Sequence, residues 1–126
     1  MQFPFDLLRS KTGVLDDLSE ADTDSSYIAC YGSAKHLDRL ALFDQLTTLW
    51  LSGVNEKQAA ILPVFESVET LVIHQLRTPN LALLEKFPHL KVLLIWGNSK
   101  ATDLSGLSQL NNLRTLGLEN FPKIRS

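Results

Sequence analysis

Apolar residues along this chain recur in a unit of about 22 positions. The segments "LTTLWLSG" (46–53), "VETLVIHQ" (68–75), "LKVLLIWG" (90–97) and "LRTLGLEN" (113–120) carry an aliphatic residue at their first, fourth and sixth positions and begin 22, 22 and 23 residues apart. Upstream of each, apolar residues fall at every third position: Leu37, Leu40, Phe43, Leu46; Ala59, Leu62, Phe65, Val68; Leu81, Leu84, Phe87, Leu90; Leu104, Leu107, Leu110, Leu113. A weaker fifth unit comes first, with Leu15, Leu18 and Ala21 leading to "SYIACYG", where Ile28 and Cys30 take the places of Leu49 and Leu51.

Alternate residues of a strand leave on opposite faces, so the fourth and sixth positions predict short strands at 28–30, 49–51, 71–73, 93–95 and 116–118 with those residues inward. The same connection follows every strand, which predicts successive parallel neighbours in one sheet. Spacing of three suits a 3₁₀-like return segment, since residues three apart then stack on one side. Around residues 34–44 the helix formers that follow Ser33 predict some α-helical turn. Proline at 63, 79, 88 and 122 stays outside the strand cores, as its missing donor requires. No unit can bury its aliphatic residues alone, so the units must stack.

These segments resemble the leucine-rich repeat family, whose strand motif is L-x-x-L-x-L-x-x-N in repeats of about 20–29 residues. The unit "TDLSGLSQLNNLRTLGLEN" is similar to the short bacterial internalin-type repeat. The resemblance covers about residues 15 to 120 and implies an α/β solenoid, with a curved parallel sheet on its concave side and short 3₁₀ or α segments on its convex side. It also implies recognition by the outward positions of that sheet. The family's asparagine falls at Ser33, Val54, Leu76, Asn98 and Phe121, so only Asn98 fits and the asparagine ladder between neighbouring turns is expected to be largely missing. Residues 1–14 fit no unit, and Phe3, Phe5, Leu7 and Leu8 are expected to cap the first one, ahead of a repeat domain over 15–126 of about five units. Only eight residues follow Leu118, so the last unit is expected to be incomplete. Its edge would be completed by another copy of the chain, giving a homo-oligomer, or by further repeats.

The outward strand positions are the third, fifth and seventh. Across the sheet the fifth positions run Ala29, Trp50, Val72, Leu94, Gly117 and the seventh Tyr31, Ser52, His74, Trp96, Glu119. Tyr and Trp are enriched in binding hot spots, so Tyr31, Trp50, Val72, His74, Leu94 and Trp96 are the candidate protein-binding residues. The competing reading is that the chain covers this stripe itself, for instance with residues 1–14.

Composition narrows the rest. A chain of 126 residues is a one-domain length, and 44% hydrophobic with 21% charged residues describes a globular chain. Net charge is −2, without a basic stripe for a phosphate backbone, so nucleic acid is not expected. One cysteine makes no internal disulfide, no apolar stretch reaches the ~18 residues of a membrane span, and "MQFPFDLLRSKTG" lacks a basic start, so a cytoplasmic setting is expected. Catalytic patterns are weak. Cys30 has His36 six residues on, but its register matches the inward Leu51, favouring a core thiol. The three histidines share no metal-ligand spacing, and Asp16, Asp17, Glu20, Asp22 and Asp24 read as a solvated acidic face. No phosphate loop is present; Gly32, Gly53 and Gly97 recur after strands, where a turn needs permissive backbone. The sequence therefore points to a noncatalytic protein-interaction module without metal or cofactor, binding through the concave sheet. The alternative is the recognition region of a larger enzyme or effector.

Overall fold

The computed structural model describes residues 14–98 and 100–122. It is an α/β arrangement with one six-stranded parallel sheet in the order β1-β2-β3-β4-β5-β6, which is also the chain order. The strands are β1 (Leu15–Asp17), β2 (Tyr27–Lys35), β3 (Thr48–Asn55), β4 (Thr70–Arg77), β5 (Val92–Asn98) and β6 (Thr115–Glu119). Ile28, Leu49, Leu71, Leu93 and Leu116 are aligned across neighbouring strands, and so are Cys30, Leu51, Ile73, Ile95 and Leu118. This is the register that the repeated apolar positions predict.

A recurrent backbone device opens β3, β4, β5 and β6. The carbonyls of Ser26, Thr47, Glu69 and Lys91 each accept two N–H groups from the start of the next strand, at 2.8–3.1 Å. The return segments use the spacing of three in the same literal way. Phe43 and Leu46 donate to Leu40 and Phe43; Leu84 and Phe87 to Leu81 and Leu84; and Leu107, Leu110 and Leu113 to Leu104, Leu107 and Leu110. Each is a bond to the third residue back, so 3₁₀ segments form at Leu37–Leu42, Ala82–Lys86 and Ser105–Gln109.

Two sequence expectations need correction here. Residues 34–44 contain no α-helix: β2 runs on to Lys35, His36 turns left-handed with φ 60°, and a 3₁₀ segment follows. The α-helical turn lies instead at Glu56–Ala60, started by a capping box in which Asn55 Oδ1 accepts from Gln58 N–H while Gln58 Oε1 accepts from Asn55 N–H. The carbonyls at and just beyond its end are held from the next unit, because the Lys86 ammonium donates to Ala59, Ala60 and Leu62 O at 3.3, 2.7 and 2.6 Å. Leu15 is likewise not part of a return segment; it begins the short edge strand β1, aligned with Cys30. Arg39 braces that edge, donating from Nε to Leu18 O at 2.8 Å. The expected cap over residues 1–14 lies, apart from Val14, outside the described residues.

The principal core lies between the inner sheet face and the return segments. Phe43, Phe65 and Phe87 are buried in it, and the rings of Phe65 and Phe87 stack with centroids 4.7 Å apart. The family's asparagine position is filled by the buried apolar Val54 and Leu76 in two units, so no ladder runs through them. Asn98 is the buried polar residue there, and Leu76 and Asn98 are aligned across β4 and β5. Its buried Oδ1 accepts from Lys100 and Ala101 N–H at 3.0 Å each, which closes the turn after β5.

Candidate functional site

The outer face of the sheet carries a second apolar cluster. Ala29, Trp50, Val72 and Leu94 form its centre, with Tyr27, Val92 and Trp96 packed around them. Neighbours in this row are aligned strand to strand: Ala29 with Trp50, Trp50 with Val72, Val72 with Leu94. The stripe read from the sequence therefore exists as a row, but it is not an open surface. Trp50, Val72 and Leu94 are 1%, 0% and 1% exposed. This corrects the expectation of an exposed centre. The physical reason is that outward direction on a strand fixes which face a side chain occupies and says nothing about solvent, and here the outer row is as little exposed as the inner one.

Exposure moves instead to the seventh-position row, toward the C-terminal ends of the strands. Tyr31 is 42% exposed, while His74 and Trp96 are half-buried neighbours in register with ring centroids 5.2 Å apart and planes tilted by 54°. Of the six candidate residues, Tyr31, His74 and Trp96 thus share this row, and Trp50, Val72 and Leu94 form the closed row beside it.

Next to His74 and Trp96 a pocket of about 500 Å³ opens, lined also by Gln75, Leu76, Arg77, Gly97, Asn98, Asn120 and Pro122. Its shape comes from a left-handed residue near the C-terminal end of each strand from β3 on. Gly53, Gln75, Gly97 and Asn120 occupy one position of the repeat and all have positive φ, of 71°, 64°, 98° and 60°. Each left-handed residue bends the backbone locally, and in β3, β4 and β5 pairing resumes beyond it, Val54 with Leu76 and Leu76 with Asn98; the pocket lies beside these bends. Glycine advertises this geometry at 53 and 97. Gln75 does not, so Gln75, Arg77 and Asn120 were not candidates from sequence alone. Arg77 is exposed and its Nη2 donates to Gln75 Oε1 at 3.4 Å.

Nucleophilic and metal chemistry finds little geometric support among the described residues. Cys30 is buried in the main core, and burial pushes its thiol up to about 12. His36 is turned to Asp17, with Nδ1 3.0 Å from its Oδ1. That carboxyl lies below its ordinary range, chiefly because Ser19 N–H donates to it and secondarily because of His36. His89 Nε2 sits 3.2 Å from Glu66 Oε2, both exposed. No group of three His, Cys, Asp or Glu side chains among the described residues is placed to hold a metal ion. No helix among them is long and apolar enough to cross a membrane. Comparison with family models, with curated proteins and with solved structures gives no match to this chain.

Proposed function

We propose that this chain is a leucine-rich-repeat solenoid acting in the cytoplasm as a noncatalytic protein-recognition module. It holds its partner on the seventh-position row, Tyr31, His74 and Trp96, and in the adjoining pocket, rather than on the central row. The observation that carries this reading is the pocket of about 500 Å³ that continues from the Trp96–His74 pair. Aromatic anchors beside a preformed concavity are what hot spots are built from, and a volume of this order is typical of ligand sites. Affinity capture comparing the parent with Trp96→Ala, His74→Ala and the control Leu42→Ala tests it. Leu42 is 57% exposed on the opposite side. A partner held by the parent and by Leu42→Ala but lost by the two site variants supports the proposal; equal retention by all four proteins refutes it.

A second reading, self-association through the C-terminal unit, is favoured by Leu116, which is 46% exposed where its equivalents Leu49, Leu71 and Leu93 are 0% exposed. An apolar side chain beside an edge strand is a known route to pairing between copies. Light scattering over a tenfold concentration range should then show a rising mass that Leu116→Lys abolishes. A constant monomer mass would remove this reading and leave the first intact.

A further inference from the structure

We propose that the pocket at the ends of β4 and β5 takes a peptide segment bearing a carboxylate, with Arg77 as its counter-charge and the Trp96 indole against its apolar part. This rests on the recognition-module reading and adds the chemistry of what is recognised.

Charge points this way first. Among the described residues the lining includes the cation Arg77 and no carboxylate, in a chain whose net charge is −2. A guanidinium presents five donors in a planar fork matched to a carboxylate, and the contact with Gln75 Oε1 at 3.4 Å uses one of them near the limit of hydrogen-bond length. Arg77 is exposed, so its side chain can swing to a ligand without breaking a core contact. The other polar groups divide clearly. Asn98 is committed to the turn through Lys100 and Ala101, so it serves as wall. Gln75 and Asn120 are exposed and left-handed, which places them at the rim with their amides available to a peptide backbone.

Size and apolar content choose a peptide over a small anion. About 500 Å³ exceeds what a lone acetate-sized group fills, and Trp96 and Pro122 supply apolar wall. One arginine is too little for a phosphate-rich polymer, whose binding rests on many cations. Glu119, aligned with Trp96 on β6, repels an acid on that side and so directs the carboxylate toward Arg77.

Titration of the ¹⁵N-labelled full chain with three short peptides that share one sequence up to a leucine tests this: a capped peptide ending in leucine and aspartate, the same peptide with asparagine for aspartate, and one ending in that leucine with a free C-terminal carboxylate. At least one carboxylate peptide should shift the Trp96 indole and Arg77 side-chain resonances and bind about tenfold tighter than the asparagine form, as for a charge-assisted bond against a neutral one. The tighter of the two carboxylate peptides identifies the source as side chain or chain end. Arg77→Gln should erase the difference between acid and amide while keeping residual binding; Trp96→Phe should keep the difference, and matching denaturant midpoints establish that both variants fold. Equal binding of acid and amide, a preference untouched by Arg77→Gln, tighter binding of inorganic phosphate than of either acid, or no shift at these residues would each overturn the proposal. If partner capture still depends on Trp96 in that event, the recognition-module reading stands and only the carboxylate assignment falls.

Discussion

The middle of the sheet and its C-terminal unit contain the same leucines in the same register, yet they are different physical environments. Leu93 in β5 is flanked by Leu71 on one side and Leu116 on the other and is 0% exposed. Leu116 in β6 has, among the described residues, a strand neighbour on one side only, Leu93, and is 46% exposed. The same holds for the return segments: Leu81, Leu84 and Phe87 are buried to 1% or less, whereas Leu104, Leu107 and Leu113 are only partly buried and Leu110 alone reaches 8%. Sequence repeats therefore do not make equal units. Burial in a one-dimensional stack is a property of the pair of interfaces, and stability is close to a sum over neighbours.

The sharpest way to break this comparison is to delete the same side chain in both places. Leu93→Ala should cost about 2–5 kcal/mol, as for fully buried leucines that leave a cavity. Leu116→Ala should cost about 1 kcal/mol or less, because roughly half of the side chain is already in water. Denaturant midpoints of the two variants check it, and equal costs would show that the C-terminal unit is packed like the middle.

Thiol chemistry gives a second contrast. Raising the Cys30 thiol from its ordinary 9.0 to about 12 lowers its thiolate fraction at pH 8 about a thousandfold, so it should react with a disulfide reagent only through opening of the fold. Leu116→Cys in a Cys30→Ala background should react orders of magnitude faster under the same conditions. The shift also predicts a pH dependence. A group whose folded pKa is raised contributes stability in full below its unfolded value, and that contribution disappears as pH rises toward the folded value. The parent should therefore lose stability between about pH 9 and 12 relative to Cys30→Ala, a difference that urea midpoints across that window would reveal.

Close backbone approach between units separates the two regions again. A Cβ built on Gly32 would lie 2.5 Å from Gly53 O, and one on Gly106 2.7 Å from Leu81 O. Gly32 sits in the long paired strand β2, which has little room to retreat. Gly106 sits in the segment Ser105–Gln109, which has no buried residue and can shift outward. Gly32→Ala should cost about 2–3 kcal/mol and Gly106→Ala about 1 kcal/mol. Thermal denaturation of both variants would test the order, and a reversal would mean that the last return segment is the more firmly seated.

The sheet was legible in the sequence for a specific reason: inward positions such as Leu49, Leu71 and Leu93 recur in step with the third-position apolar residues, and only one register satisfies both. The Glu56–Ala60 helix was less legible because it spans little more than one turn, too short for periodicity, although Asn55 and Gln58 spell its capping box. Closure of the Trp50 row was legible only as the competing reading, since a strand pattern assigns faces and not what lies over them. The pocket escaped because its shape depends on backbone φ at Gln75, an ordinary side chain in a conformation that its neighbours in the repeat reach with glycine or asparagine.

That shared turn position provides the smallest and most local test. Gln75 and Asn120 are both left-handed, at φ 64° and 60°, one between two complete units and the other in the last unit. A side chain in this region costs roughly 1–2 kcal/mol, less for asparagine, whose short polar group tolerates it. Glycine removes the strain but adds roughly 0.5–1 kcal/mol of backbone entropy lost on folding. For Gln75→Gly the relief should exceed the entropy and raise stability by about 0.5 kcal/mol, since only the 3.4 Å contact with Arg77 is given up. For Asn120→Gly the strain relieved is smaller and the gain should vanish or turn slightly negative. Asn120 O also accepts from Asn98 N–H at 3.0 Å, and a freer backbone there would weaken this tie of the last unit to β5. Paired chemical denaturation curves would resolve the difference. A larger gain at 120 than at 75 would mean that the turn of the last unit is held under more strain than that of the middle, the opposite of what its greater exposure predicts.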